Sequence, residues 1–66
     1  MEDNKPLAII RKKLRERMND LADTVAGGGA KDFGDYRNLC GQIHGLAVAE
    51  REILDLQSAL EQSEDD

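Results

Sequence analysis

The chain has 66 residues, a formal net charge of −5 and two aromatic side chains, Phe33 and Tyr36. That length allows one small domain with little room for an enclosed active site, and the acidic balance disfavours general nucleic-acid binding, which needs a basic surface for phosphates. One cysteine, Cys40, excludes an internal disulfide, and one histidine, His44, leaves metal ligands scarce, so self-association is the remaining way to staple so small a fold.

The chain opens on Met1-Glu2-Asp3-Asn4, an acidic and polar start unlike a signal peptide. No apolar run approaches the ~20 residues of a membrane span. These features predict a soluble protein that is not secreted, and the single cysteine suits a reducing compartment.

A first helix is expected over residues 6–25. Asn4 or Asp3 would cap it, Pro6 fits the first turn, and Glu2 and Asp3 suit the positive end of the helix dipole. Leu7, Ile10, Leu14, Met18, Leu21 and Val25 recur at steps of three or four, which predicts one apolar stripe with coiled-coil-like packing. Ile9 and Ala22 widen the stripe, as contact with two neighbours would require.

Gly27, Gly28 and Gly29 end that helix and let the chain reverse through a turn at residues 26–31. They follow a helix and lack a Gly-Lys-Ser/Thr ending, so they do not form a phosphate-binding loop.

A second helix is expected over residues 33–61, with Asp32 as N-cap and Asp35 three residues later. Its apolar series is Tyr36, Leu39, Ile43, Leu46, Ala49, Ile53, Leu56 and Leu60. An acidic tail over residues 62–66 is expected to be frayed and solvated. The expected fold is thus all-α: a two-helix antiparallel hairpin, dimerising into a four-helix bundle by burying Ile9, Ala22, Ala47, Leu54 and Leu56.

Charge is unevenly spread. Residues 11–17 carry Arg11, Lys12, Lys13, Arg15 and Arg17 against Glu16, while residues 50–66 carry seven acids against Arg51. Folding the chain about residue 30 lays part of one block beside the other. It sets Leu14 near Ala47, Leu7 near Leu54, Leu21 near Cys40 and Arg11 opposite Glu50, where a partly buried ion pair would fix register. A slip of one helical turn keeps most of the pattern. Arg11, Lys12, Arg15 and Glu50 form the candidate charged partner surface.

Gly41, Gly45 and Ala49 are spaced by four and form a small-residue ridge on the second helix. Such a ridge lets another backbone approach closely, either the first helix or a second copy. With Leu7, Ile10, Leu14, Met18, Leu21 and Ile53 it makes the expected helix-packing surface.

Chemistry is thinly supported. Cys40 and His44, four apart, could share a helix face, but zinc needs four ligands or three plus water, and a dimer would be required to supply Cys₂His₂. A small cysteine beside a histidine at the core edge is the simpler reading. Carboxylate pairs such as Glu50/Asp55 or Asp32/Asp35 lack a pocket to shift their pKa values. No enzyme, cofactor, metal or small-molecule ligand is expected.

The stretch Ala30-Lys31-Asp32-Phe33-Gly34-Asp35-Tyr36-Arg37, then Cys40-Gly41-Gln42-Ile43-His44-Gly45-Leu46 and Ala49-Glu50-Arg51-Glu52-Ile53, resembles small helical proteins encoded by tailed bacteriophages. The resemblance covers roughly residues 7–60 and rests on common helix residues. It implies a phage-encoded accessory or virion-associated protein, in the host-cell cytoplasm or the virion, and carries over no functional residue. The expected function is therefore a non-enzymatic protein–protein interaction module, partnered by itself as a homodimer and by another phage or host protein. Two alternatives differ in kind: an inhibitor of a host enzyme, and a nucleic-acid binder using residues 11–17.

Overall fold

The computed structural model describes residues 5–65, and within them the chain is two helices, α1 (Lys5–Ala26) and α2 (Phe33–Asp65), packed against each other as a hairpin. The expected caps Asp3 and Asn4 lie outside the described residues, as does Asp66. Each helix overruns its expected bounds, by one residue at both ends of α1 and by four at the end of α2. The expected frayed tail is therefore helical through Asp65. Nothing in residues 62–65 breaks a helix, and Gln and Glu favour one.

The turn explains the glycine run. Gly28 N–H donates to the Val25 carbonyl at 3.1 Å and Gly29 N–H to the Thr24 carbonyl at 2.8 Å, the paired bonds of a Schellman motif that satisfy the last carbonyls of α1. Gly28 takes the left-handed conformation, φ +77°, that L side chains avoid. At Gly29 a Cβ would stand 2.6 Å from Thr24 Cγ2, so only glycine fits. At the start of α2, Asp35 N–H donates to Asp32 Oδ1 at 2.7 Å, which makes Asp32 the N-cap. The Asp35 carboxylate reaches back and accepts from Lys31 N–H at 3.0 Å, a capping box closed one residue early.

The helices meet along a seam. In α1 the half-buried and buried positions are Leu7, Arg11, Leu14, Met18, Leu21 and Val25, at alternating steps of four and three. In α2 the steps repeat through Leu39, Ile43, Leu46, Glu50, Ile53 and Gln57. This is a coiled-coil heptad on both helices, with polar residues at three seam positions. Ile10 does not lie on the seam: it is 45% exposed and Arg11 takes the place. Leu14 to Met18 is a step of four, so the alternation requires a step of three into Leu14, which starts from Arg11; passing through Ile10 would put two steps of four in a row.

The register also differs from the expected one. Arg15 pairs with Glu50 and Arg11 with Gln57, so Arg11 is not opposite Glu50. With these bonds and the heptads combined, residue i of α1 lies across from about residue 64 − i, one helical turn from the expected alignment. The reason lies in the turn, which lets the first turn of α2 run past the end of α1. Phe33 stands there 71% exposed.

The molecule is a rod of 52 × 16 × 13 Å. Its radius of gyration, 15.3 Å, exceeds the ~11 Å of a compact domain of this length. Its accessible surface is 5075 Å², against roughly 4200 Å² for a compact monomer of 7.3 kDa.

Candidate functional site

Six seam layers follow from the heptads, and they divide evenly. The three toward the turn, Val25/Leu39, Leu21/Ile43 and Met18/Leu46, are apolar. The three toward the open end, Leu14/Glu50, Arg11/Ile53 and Leu7/Gln57, each carry one polar residue. Met18 is the one buried apolar residue among those described, at 5% exposure.

The polar layers form a connected cluster. Arg15 Nη2 donates to Glu50 Oε1 at 2.6 Å, and Arg11 Nη1 donates to Gln57 Oε1 at 3.3 Å. Glu50 is buried, its side chain 11% exposed, whereas the Arg15 side chain is 57% exposed. The pair is therefore asymmetric: an acid desolvated in the seam is held by an arginine reaching over it from the flank. Arg11 Nε is buried with no hydrogen-bond partner, a group that favours any rearrangement able to satisfy it. A groove of about 470 Å³ runs above the pair, lined by Ala8, Arg11, Lys12, Arg15, Glu16 and Glu50. It offers three cations and two acids, an amphoteric surface suited to ion-pairing with a protein face.

Of the expected charged surface, Arg11, Lys12, Arg15 and Glu50 thus gather at one groove. The wider expectation, two blocks neutralising each other, holds at one cross-helix ion pair among the described residues. The other ion pair, Arg51 to Asp55 at 3.5 Å, lies within α2.

The expected helix-packing residues separate. Leu7, Leu14, Leu21, Ala49 and Ile53 are half-buried with Met18 buried, while Gly41 and Gly45 are exposed. A Cβ at Gly41 or Gly45 would meet nothing within 4 Å, so α1 does not fill the ridge. The seam passes through Ile43 and Leu46, which turns both glycines outward.

At the turn end a small aromatic cluster forms. The Phe33 and Tyr36 rings stack at 6.2 Å, and the Arg37 guanidinium stands 6.0 Å over Phe33. The neighbouring Cys40 side chain pushes the Tyr36 hydroxyl above its ordinary pKa of 10.0. Cys40 is half-buried and His44 exposed. Among the described residues no three His, Cys, Asp or Glu side chains gather as a metal site would require, and no helix is long and apolar enough to cross a membrane.

The chain matches no protein-family model, no curated protein and no solved structure.

Proposed function

We propose that this protein is a non-enzymatic interaction module that binds other proteins through its helix faces, self-associates into a four-helix bundle, and serves as a phage virion-associated or assembly protein. One observation carries the interaction reading. Ile9, Ile10, Phe33, Tyr36, Val48, Leu56 and Leu60 are all at least 40% exposed, while Met18 alone is buried among the large apolar side chains described. Burying such a side chain from full exposure is worth roughly 1.5–3 kcal/mol, so each has a share of that still to gain, and lateral packing of rods is how helices of this shape obtain it. The phage setting is supported by the stretch from Ala30 to Ile53.

Sedimentation across a hundredfold concentration range, paired with thermal melting, tests the reading. A self-associating module shows the mass of two chains and a Tm that rises with concentration. A chain that stays monomeric with a constant Tm counts against it.

Nucleic-acid binding is a second reading with an observation of its own. Lys12, Lys13 and Arg17 have no ion-pair partner among the described residues. Binding of labelled DNA and RNA that falls steeply from low to high salt would favour it, because released counterions drive such binding.

A further inference from the structure

We propose that a single chain holds two registers: the one described above, and a second in which α2 slides about three residues toward the open end and turns by about 50°. The device lies within one hairpin and does not depend on association between copies. It rests on two overlapping heptads in α2. One is the seam series from Leu39 to Gln57. The other is Tyr36, Cys40, Ile43, Ala47, Glu50 and Leu54, which follows the same alternating steps of four and three. The two series share Ile43 and Glu50, and their faces lie about 50° apart around the helix. Cys40 and Leu54 of the second series are already half-buried beside the seam.

Set against the unchanged face of α1, the second series gives the layers Val25/Tyr36, Leu21/Cys40, Met18/Ile43, Leu14/Ala47, Arg11/Glu50 and Leu7/Leu54. Residue i then lies across from about residue 61 − i. The polar residues that interrupt separate layers of the open half are gathered into one, where Arg11 and Glu50 face each other. That layer offers an acceptor to the Arg11 guanidinium, whose Nε is buried without a partner in the first register. In exchange the seam gives up Leu39, Leu46 and Ile53, and takes in the small Cys40 and Ala47 with Tyr36 and Leu54. Packing favours the first register and polar pairing the second, which is the balance a bistable element needs.

The turn permits the slide. Its hydrogen bonds close on one helix or the other: the Gly27, Gly28 and Gly29 N–H groups donate to carbonyls of α1, and the Lys31 and Asp35 N–H groups donate to carboxylates that travel with α2. Ala30 alone lies between the two sets. The slide carries the start of α2 back toward the end of α1 by about 4.5 Å, so the link over residues 27–32 has less to span. Among the described residues two side-chain bonds cross between the helices and hold the first register, Arg15 to Glu50 at 2.6 Å and Arg11 to Gln57 at 3.3 Å. The register thereby decides which apolar side chains of α2 face outward, since Leu39, Leu46 and Ile53 leave the seam in the second.

Pulsed electron spin resonance on the full chain tests this, with nitroxides at the exposed positions Asp20→Cys and Ala59→Cys in a Cys40→Ala background. Dilution with unlabelled chain restricts the reading to distances within one molecule. Ala59 lies across from about residue 5 in the first register and about residue 2 in the second, so its offset from Asp20 along the rod grows from about 23 Å to about 27 Å. The rotation swings Ala59 further from α1 and adds to the difference. The labelled chain is expected to show a dominant short distance and a minor one at least 4 Å longer. Leu46→Ala/Ala47→Leu moves a large side chain from the first seam to the second and is expected to make the long distance dominant, with helicity kept. Arg11→Leu/Gln57→Leu fills the first seam and is expected to leave the short distance alone. A single short distance that the Leu46→Ala/Ala47→Leu exchange does not lengthen overturns the second register, and so does loss of helicity in that variant.

Discussion

The two halves of this hairpin are built differently on the same repeat. The turn half has three apolar seam layers, a Schellman turn and a buried Met18. The open half has three layers each interrupted by Arg11, Glu50 or Gln57, and it leaves Ile9, Ile10, Leu56 and Leu60 to solvent. The heptad is continuous through both, so periodicity alone does not distinguish them. The turn half fills its seam layers with apolar side chains and is the part that holds the hairpin shut, although Phe33 and Tyr36 at its tip stay 71% and 43% exposed. The open half gives seam positions to polar groups that fix register, and leaves Ile9, Ile10, Leu56 and Leu60 exposed outside the seam.

The comparison breaks most sharply at Met18. Met18→Asp puts an uncompensated charge at the one buried apolar position among the described residues and is expected to cost more than ~3 kcal/mol, which unfolds a hairpin of this size. Leu14→Asp, at a half-buried layer already shared with Glu50, should cost less. Far-ultraviolet circular dichroism against temperature measures both. Equal loss of helicity in the two variants would mean that both halves hold the hairpin equally.

The polar layers come next. Arg11→Leu removes a buried unpartnered Nε and restores an apolar seam, so it is expected to raise stability by about 1 kcal/mol. Arg15→Ala should lower it by about 1 kcal/mol, since it strands the buried Glu50 carboxylate while removing an arginine that is itself largely exposed. Denaturant midpoints give both signs. The opposite signs would mean that Arg11, and not Arg15, holds the register.

Much of this was legible in the amino-acid sequence, and the failures are physically specific. The glycine run, the Asp32 cap and the two-helix order follow from local rules that hold wherever a chain reverses. The spacing points to Ile10 for the stripe because apolar character outranks a cation at a helix interface. Arg11 displaces it because a seam admits a long side chain whose stem packs and whose head reaches Gln57. The register lies one turn from the expected one because it depends on how the turn threads, and local spacing says nothing of that. The groove is half legible: the charge pattern groups Arg11, Lys12, Arg15 and Glu50 as one surface, but Arg15 as the partner of Glu50 requires the register.

The glycine ridge gives the smallest expected effect and separates the hairpin from its assemblies. Gly41 and Gly45 sit mid-helix, where glycine costs about 0.5–1 kcal/mol relative to alanine, and a Cβ at either meets nothing within 4 Å. In an isolated hairpin, Gly41→Ala and Gly45→Ala should each stabilise by that amount. Where no partner lies against the ridge, the gain should persist at every protein concentration. Gly45→Leu extends the test with a bulkier group. If it melts as well as Gly45→Ala at low concentration but loses stability as the concentration rises, a second backbone lies against the ridge and the turn halves of two copies overlap. If it behaves alike at both, the glycines are free of the self-association surface and stay open to a different partner, which is where a ridge that costs the hairpin stability would find its use.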